Sequence, residues 1–414
     1  MKKIRMPPKE EQDRQYKEWL EEQTFHNVDD DKIKYVLLEE LKFLSQMSVE
    51  EYTLWRKWRE IQEKYPIDKS TNLFFKEDLN YYPELNDLKN NIWIPESSDD
   101  YRKLEPTIVF ANNPKLVKTW NALRILIHSQ HNNTNIGRNL FFIVIDGITK
   151  KYLGIICLSS DFLDLTPRDN YIGWTREQRT EKKRINYTSI GSTIVPTQPL
   201  GYNYLGGKLM ALLTISNITE QAWNGRYKNR LAGITTTSLY GSFSQYQNLQ
   251  YWTKRGHSTG SIKFEPSRDI LQLVKEWLRF RHTRRYWEWY SATGYDGMPL
   301  KRDYKQRSLS FVYKQFGIPK EYTETNHQRG IYFCPLYNNT REFLREEIKE
   351  GDLIRRFDNS VEALVSIWKE RYAKKRVERM VKDGKYNTDI LFYHGMIGKS
   401  WEEAKELYLK EVGR

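Results

Sequence analysis

The segment 188–213, TSIGSTIVPTQPLGYNYLGGKLMALL, decides how the chain is read. An apolar, β-branched run at 192–195 predicts a strand. Two prolines and Gly201 predict a tight loop, and apolar residues at Leu205, Leu209, Met210 and Leu213 predict a helix. A strand that feeds a helix through glycines leaves backbone N–H groups facing the loop, and the helix dipole adds partial positive charge there. Such a loop suits an anion. Gly201, Asn203, Gly206 and Gly207 would form the cradle, with Lys208 adding a point charge. The same glycines also serve plain turn geometry. The anion would be the phosphate of a cofactor or of a nucleic-acid backbone.

Working outward, NLFFIVID (139–146) and KYLGIICLSS (151–160), joined by GITKK, predict two antiparallel strands after a helix running from 115 to about 128. A charged helix is expected at about 175–184, a further strand at 231–238, and the end of this core near Gly260. Residues 8 to about 65 read as helical, with Tyr35, Leu38, Leu41, Phe43 and Leu44 set among charges and a capping box at Ser48 and Glu51. Residues 68–106, rich in Asn, Asp, Pro and Ser, read as a linker. From Pro266 onward the pattern is mostly helical, broken by the apolar GIYFCPLYNNT (330–340) and closed by a helix capped at Ser400 with Glu403. The expected fold is α+β, a mixed sheet core between helical N- and C-terminal additions, divided as 1–106, 107–262 and 263–414.

Charge and rings narrow the partner. The chain has 67 Lys and Arg against 54 Asp and Glu, a net charge of +13, so its field draws polyanions. With 13 Trp and 28 Tyr interleaved among those charges, nucleic acid is the expected partner, since phosphates take the cations and unstacked bases take the rings. Cys157 and Cys334 sit in separate apolar runs and read as core residues, and the histidines show no paired metal spacing, so no metal is expected. The N-terminal MKKIRMPPKEEQDRQ lacks the apolar stretch of a signal peptide, and no run is long enough to span a membrane, which predicts a cytoplasmic protein.

Three further stretches carry chemistry. In RDNYIGW (168–174), Arg168 and Asp169 read in two ways. Asp169 is a local turn acceptor with Trp174 as a core anchor, or Arg168 clamps a phosphate while Asp169 takes a proton from an attacking amine. In SFSQYQNLQYW (242–252), Gln245, Gln247, Asn248 and Gln250 stand with Tyr246, Tyr251 and Trp252. Amides read base edges and aromatics stack on flipped bases, and the Tyr246 phenol could also pass a proton. In EWLRFRHTRRYWEWY (276–290), Arg281, Arg284 and Arg285 share a helix face and offer a backbone contact, among tryptophans that individually suit a core.

Between Arg138 and Gly260 the order of elements resembles the GNAT acyltransferases, whose Q/R-x-x-G-x-G/A loop holds the pyrophosphate of acetyl-CoA. Here Gln198-Pro-Leu-Gly201-Tyr-Asn203 matches the first two positions, with Asn203 for the last small residue. The succession YLGIICLSS, RDNYIGWTREQR, TIVPTQ and SFSQYQNLQYWTKRG is similar to the domain of the first component of the Druantia anti-phage system, in which Arg-Asp-aromatic-Ile-Gly-Trp recurs. The layout also resembles the phage Mom DNA-modification proteins, although TTTS (235–238) lacks their acidic residue. Phage proteins that join amino acids to modified thymines are a further analogy. The resemblance implies a phage-type DNA-modifying transferase that adds an acyl or amino-acid group to a DNA base or activated base substituent. Acyl-CoA or a free amino acid would be the donor, and Gln198, Gly201, Asn203 and Lys208 would hold it. Asp169 and Tyr246 would move protons, and Arg168, Gln247, Asn248, Trp252, Arg281, Arg284 and Arg285 would hold DNA. The alternative is a non-catalytic nucleic-acid-binding component of a Druantia-like phage–host conflict system.

Overall fold

A continuous apolar run gives the strand Asn139–Asp146 two largely covered faces, and it lies second in a seven-stranded sheet. The arrangement comes from a computed structural model, which describes residues 7–64, 83–127, 137–239, 244–258, 263–294, 297, 304–325, 328–389 and 393–412. Residues 68–82 of the linker expected at 68–106, residues 240–243 of the amide-rich stretch, His128 and the core end at Gly260 lie outside the described residues, while the rest of that linker holds the helix Pro83–Asn90 and the 3-10 turn Asp100–Lys103.

The strands are β1 (Pro106–Phe110), β2 (Asn139–Asp146), β3 (Tyr152–Ser160), β4 (Thr188–Pro196), β5 (Gly233–Ser238), β6 (Thr253–His257) and β7 (Gly330–Pro335), in the order β1-β2-β3-β4-β5-β7-β6. All neighbours run antiparallel except β4 and β5, which are parallel and pair only through Thr188–Gly233, Ser189–Ile234 and Ile190–Thr235. Single extra residues, Leu153 in β3, Ser192 in β4 and Arg255 in β6, interrupt the ladders as bulges.

Both faces of the sheet are covered, as the doubly apolar strands require. Leu140, Phe142, Val144, Ile156 and Ile194 pack with Leu209, Met210 and Leu213 of the helix Gly206–Leu213. On the other face Ile143, Ile155 and Cys157 pack with Trp120 and Leu123 of the helix Pro114–Ile127. Gly154 in β3 has a packing reason: a Cβ there would stand 2.4 Å from Met210 Sδ.

The fold is therefore mixed α+β with helical additions, and it departs from expectation in several elements. β1 falls at the end of the presumed linker, and β6 emerges from the amide-rich stretch. RDNYIGW is not a turn: Thr166–Ile172 is a helix ended by left-handed Gly173, and the charged helix after it starts behind the capping box at Thr175 but spans only Arg176–Thr180, followed by left-handed Lys183 and the 3-10 turn Arg184–Tyr187. The segment after β4 forms two helices, Leu200–Tyr204 and Gly206–Leu213, broken by left-handed Leu205.

The chain forms two units, Met1–Tyr52 with Ser261–His327, and Thr53–Gly260 with Gln328–Arg414. They cut the chain differently from the divisions at 106/107 and 262/263. The wholly buried β7 lies between β5 and β6, so the chain must return to the sheet after leaving it. Among the described residues no helix is long and apolar enough to cross a membrane, and no cluster of three or more His, Cys, Asp or Glu could hold a metal.

Candidate nucleic-acid interface

The parallel β4–β5 ladder stops at Ile190–Thr235, and the space beyond it is filled by the chain itself. Gln245 donates from Nε2 to the Ile194 carbonyl of β4 at 2.9 Å and to the Tyr246 hydroxyl at 2.9 Å. Thr236 of β5 donates to the Gly191 carbonyl at 3.0 Å and lies 3.3 Å from the same hydroxyl. Tyr246 is buried between Trp252 and Tyr332, with ring centroids 5.6 and 5.2 Å away, and burial pushes its phenol above the ordinary range. That phenol stays protonated and closed off from solvent. Trp252 is equally enclosed and donates to the Ala211 carbonyl at 3.1 Å.

The expected anion loop is similarly occupied. Gln198 Oε1 accepts from Tyr202 N at 2.9 Å, so a side chain of the loop caps the first short helix. Buried Asn203 pairs with the backbone of Asn387, donating to its carbonyl at 2.6 Å and accepting from its N–H at 3.2 Å. Gly201 lies against Gln198, and a Cβ at Gly207 would stand 2.2 Å from Gln245 Oε1. These glycines admit protein side chains where a phosphate was expected. Lys208 donates to the carbonyls of Gln245 (3.1 Å) and Gln247 (2.5 Å), and burial pulls its ammonium down to about 8.

Arg168 and Asp169 form a closed network. Fully buried Arg168 meets Asp161 at 2.7 Å and donates to Asp169 Oδ1 from Nε and Nη2 at 2.9 and 2.7 Å. Asp169 also accepts from Trp174 Nε1 (2.9 Å) and Leu165 N (2.8 Å), and Asp161 accepts from Thr235 of β5 at 2.8 Å. The signature stretch thereby ties its helix to the sheet, and both oxygens of Asp169 are engaged by donors of the fold. In the other unit, Arg281 pairs with Asp30 and Arg284 with Asp13 and Glu288, while Arg285 lies over Phe311 at 4.0 Å. Those arginines are half-used by their own unit.

Exposed Gln247 and Asn248 lead instead to a region that sequence reading passed over. The segment 368–385, WKERYAKKRVERMVKDGK, carries eight Lys and Arg against three carboxylates. It opens as a π-helical turn, Trp368–Ala373, and continues as the helix Lys374–Lys382. Ala373, Val377 and Met380 face inward, while Lys375, Lys382 and Lys385 are exposed and have no ion pair among the described residues. A cleft of about 370 Å³ lies where this segment meets the amide stretch, lined by Asn248, Leu249, Gln250, Glu370, Arg371, Tyr372 and Lys375. Tyr372 fastens the two, accepting from Gln250 N at 2.9 Å and donating to the Asn248 carbonyl at 3.2 Å, and Arg371 donates to the Gln250 amide oxygen. Asn248 and Tyr251 are left-handed, at φ 53° and 73°, and Tyr251 is held there by stacking on Phe357 at 3.9 Å. Amides, a ring and two cations converge on one cleft, a combination suited to phosphates and base edges. The signal available in the sequence was the charge run with Ala373, Val377 and Met380 at helical spacing.

The family described as Druantia protein DruA matches residues 101–346, from just before β1 to beyond β7. The chain belongs to the DruA family. The DruA match takes in the RDNYIGW network and the filled crevice but ends before the basic segment 368–385. The Druantia protein DruA of Escherichia coli (strain UMEA 4076-1) is 27% identical over 168 residues, 36% of this chain and 40% of that DruA protein, so the alignment spans about two fifths of the curated relative's length. No solved structure matches the chain.

Proposed function

We propose that this chain is a non-catalytic, nucleic-acid-binding component of a Druantia-type anti-phage system, working in the cytoplasm on DNA. The filled β4–β5 crevice carries this reading. Where a transferase would seat its donor, Gln245 and Tyr246 hydrogen-bond to both strands, and Asp169 is consumed by arginines and Trp174. The chemistry left outward is the amide-lined, cationic cleft. Arg371, Lys375, Lys382 and Lys385 would take phosphates, Gln247 and Asn248 would face bases, and Arg281, Arg284 and Arg285 would contribute less.

A second reading, the DNA-modifying group transferase, is favoured by the sheet itself. A β4–β5 parallel pair that stops short, the extra residue in β4 and the β5-β7-β6 order resemble the GNAT arrangement. Gln245 and Tyr246 would then have to withdraw for acyl-CoA or an amino-acid donor to enter. Fluorescence anisotropy with DNA, together with mass spectrometry of nucleosides from cells with and without the gene, separates the two. The binding reading expects salt-dependent association and no new nucleoside mass; an added mass overturns it in favour of the transferase.

A further inference from the structure

We propose that Arg255 and Arg341, which both lie against the Tyr171 ring, form with neighbouring Arg356 a binding site for one phosphate group. Arg255 is the extra residue of the β6 bulge, so its side chain leaves the alternation of the strand. Its guanidinium lies 3.3 Å from the centroid of Tyr171, and that of Arg341 lies 5.2 Å from the same ring. One arginine suffices for a cation–π contact; a second on the same ring adds repulsion. Burial draws the Arg255 guanidinium below its ordinary range, and Arg356 and Arg341 add to that pull against the Tyr171 phenol. Arg255 Nε is buried with no hydrogen-bond partner among the described residues.

The surroundings leave the cluster uncompensated. Arg356 is steadied by donating to the Tyr251 and Pro335 carbonyls, each at 3.2 Å, and so supplies charge without gaining a counter-charge. The carboxylate near Arg341, Glu347, is held by both ends of the Arg345 fork at 2.7 and 2.8 Å. Arg341 is exposed, which gives the site an entrance, while half-buried Arg255 forms its floor. Planar guanidinium forks match the oxygens of a phosphate, which would satisfy Arg255 Nε and ease the repulsion between the arginines. Tyr171 is the aromatic of the RDNYIGW stretch, so its neighbours Arg168 and Asp169 would hold the platform while the ring positions the arginines.

The phosphate belongs either to a nucleic-acid backbone or to a small phosphorylated molecule; only the first source rests on the function proposed above. The test titrates full-length protein calorimetrically with pyrophosphate, and by anisotropy with DNA across a salt series. R341Q should weaken pyrophosphate binding about tenfold, R255Q/R341Q should abolish it, and Y171L, which keeps every charge, should weaken it too. With a backbone source, R341Q also lowers the slope of log affinity against log salt by about 1. Loss of pyrophosphate binding with an unchanged DNA slope supports the site with a small-molecule ligand. Arginine-dependent pyrophosphate binding by a protein that ignores DNA likewise supports the site while ending the nucleic-acid reading. Because Arg341 is exposed, R341Q folds even where the double variant does not. Equal pyrophosphate binding by wild type and R341Q, or none by wild type, overturns the proposal.

Discussion

Two polar, cationic regions of the sheet unit differ in where their hydrogen-bonding groups are aimed. In the segment after β4, Gln198 caps its own helix, Asn203 grips the backbone of Asn387, and Lys208 spans two carbonyls of the neighbouring loop. In the segment 368–385, three small or apolar residues anchor the helix while Lys375, Lys382 and Lys385 face solvent. The first region has the sequence features of an anion site and is internally saturated. The second has only a charge run and keeps its capacity for a ligand. A motif names which groups are present; whether they are spent on the fold decides what they can bind.

The most severe challenge to this contrast is at its most inward group. Arg168→Ala leaves the Asp161 carboxylate buried without its cation and Asp169 with Arg179 alone, and removing one member of such a network costs about 3–5 kcal/mol. Urea unfolding should show a loss of that size, with DNA affinity of the folded protein unchanged. A stable variant with weakened DNA binding would turn Arg168 from a fold element into a phosphate clamp.

Gly207→Ala comes next. Its Cβ would press on Gln245 Oε1, so the crevice filling must shift, at about 1–3 kcal/mol for overpacking. Were Gly207 instead there to admit a phosphate, the same substitution would lower DNA affinity and leave the unfolding midpoint in place.

The unequal legibility of these regions has a physical cause. Strands β2, β3 and β4 were readable because each has a dense apolar or β-branched run, and the Ser48 cap and the Ser400 capping box because their side chains act locally. β7 registered only as an apolar insert, since its place between β5 and β6 depends on contacts far along the chain. Sequence spacing names the expected site residues but not their orientation: the closure of Asp169 depends on Trp174 and Arg179, and that of Asn203 on Asn387, 184 positions away. Sequence spacing carries no account of such distant partners. The charge run at 368–385 needed none, and it was passed over because it lacks a motif.

On the outward region, Arg371→Gln with Lys375→Gln should reduce DNA affinity about tenfold at moderate salt and lower the slope of log affinity against log salt by about 2, one for each phosphate no longer neutralised. The triple change of Arg281, Arg284 and Arg285 to Ala should move that slope less, since Arg281 and Arg284 already pair with carboxylates of their own unit. A larger slope change from the triple variant would shift the interface to that unit.

The smallest effect comes from Lys208, and its sign tests whether this lysine is spent on the fold. Burial lowers its folded pKa to about 8 against an ordinary 10.5, so between those values the unfolded chain binds more protons than the folded one. Stability gained from this group therefore rises as pH increases through that window. Tyr246 works in the opposite direction and later: its raised phenol keeps a proton that the unfolded chain releases above about 10, so its contribution falls there. Lys208→Met removes the first effect and leaves the second. Urea unfolding at pH 7.5 and 9.5 should show wild type gaining on Lys208→Met as pH rises, by well under the full shift because the ammonium is only half-buried. A constant difference between the two proteins would mean that Lys208 keeps its charge in water, free for a phosphate, and the contrast between the two regions would lose its inward half.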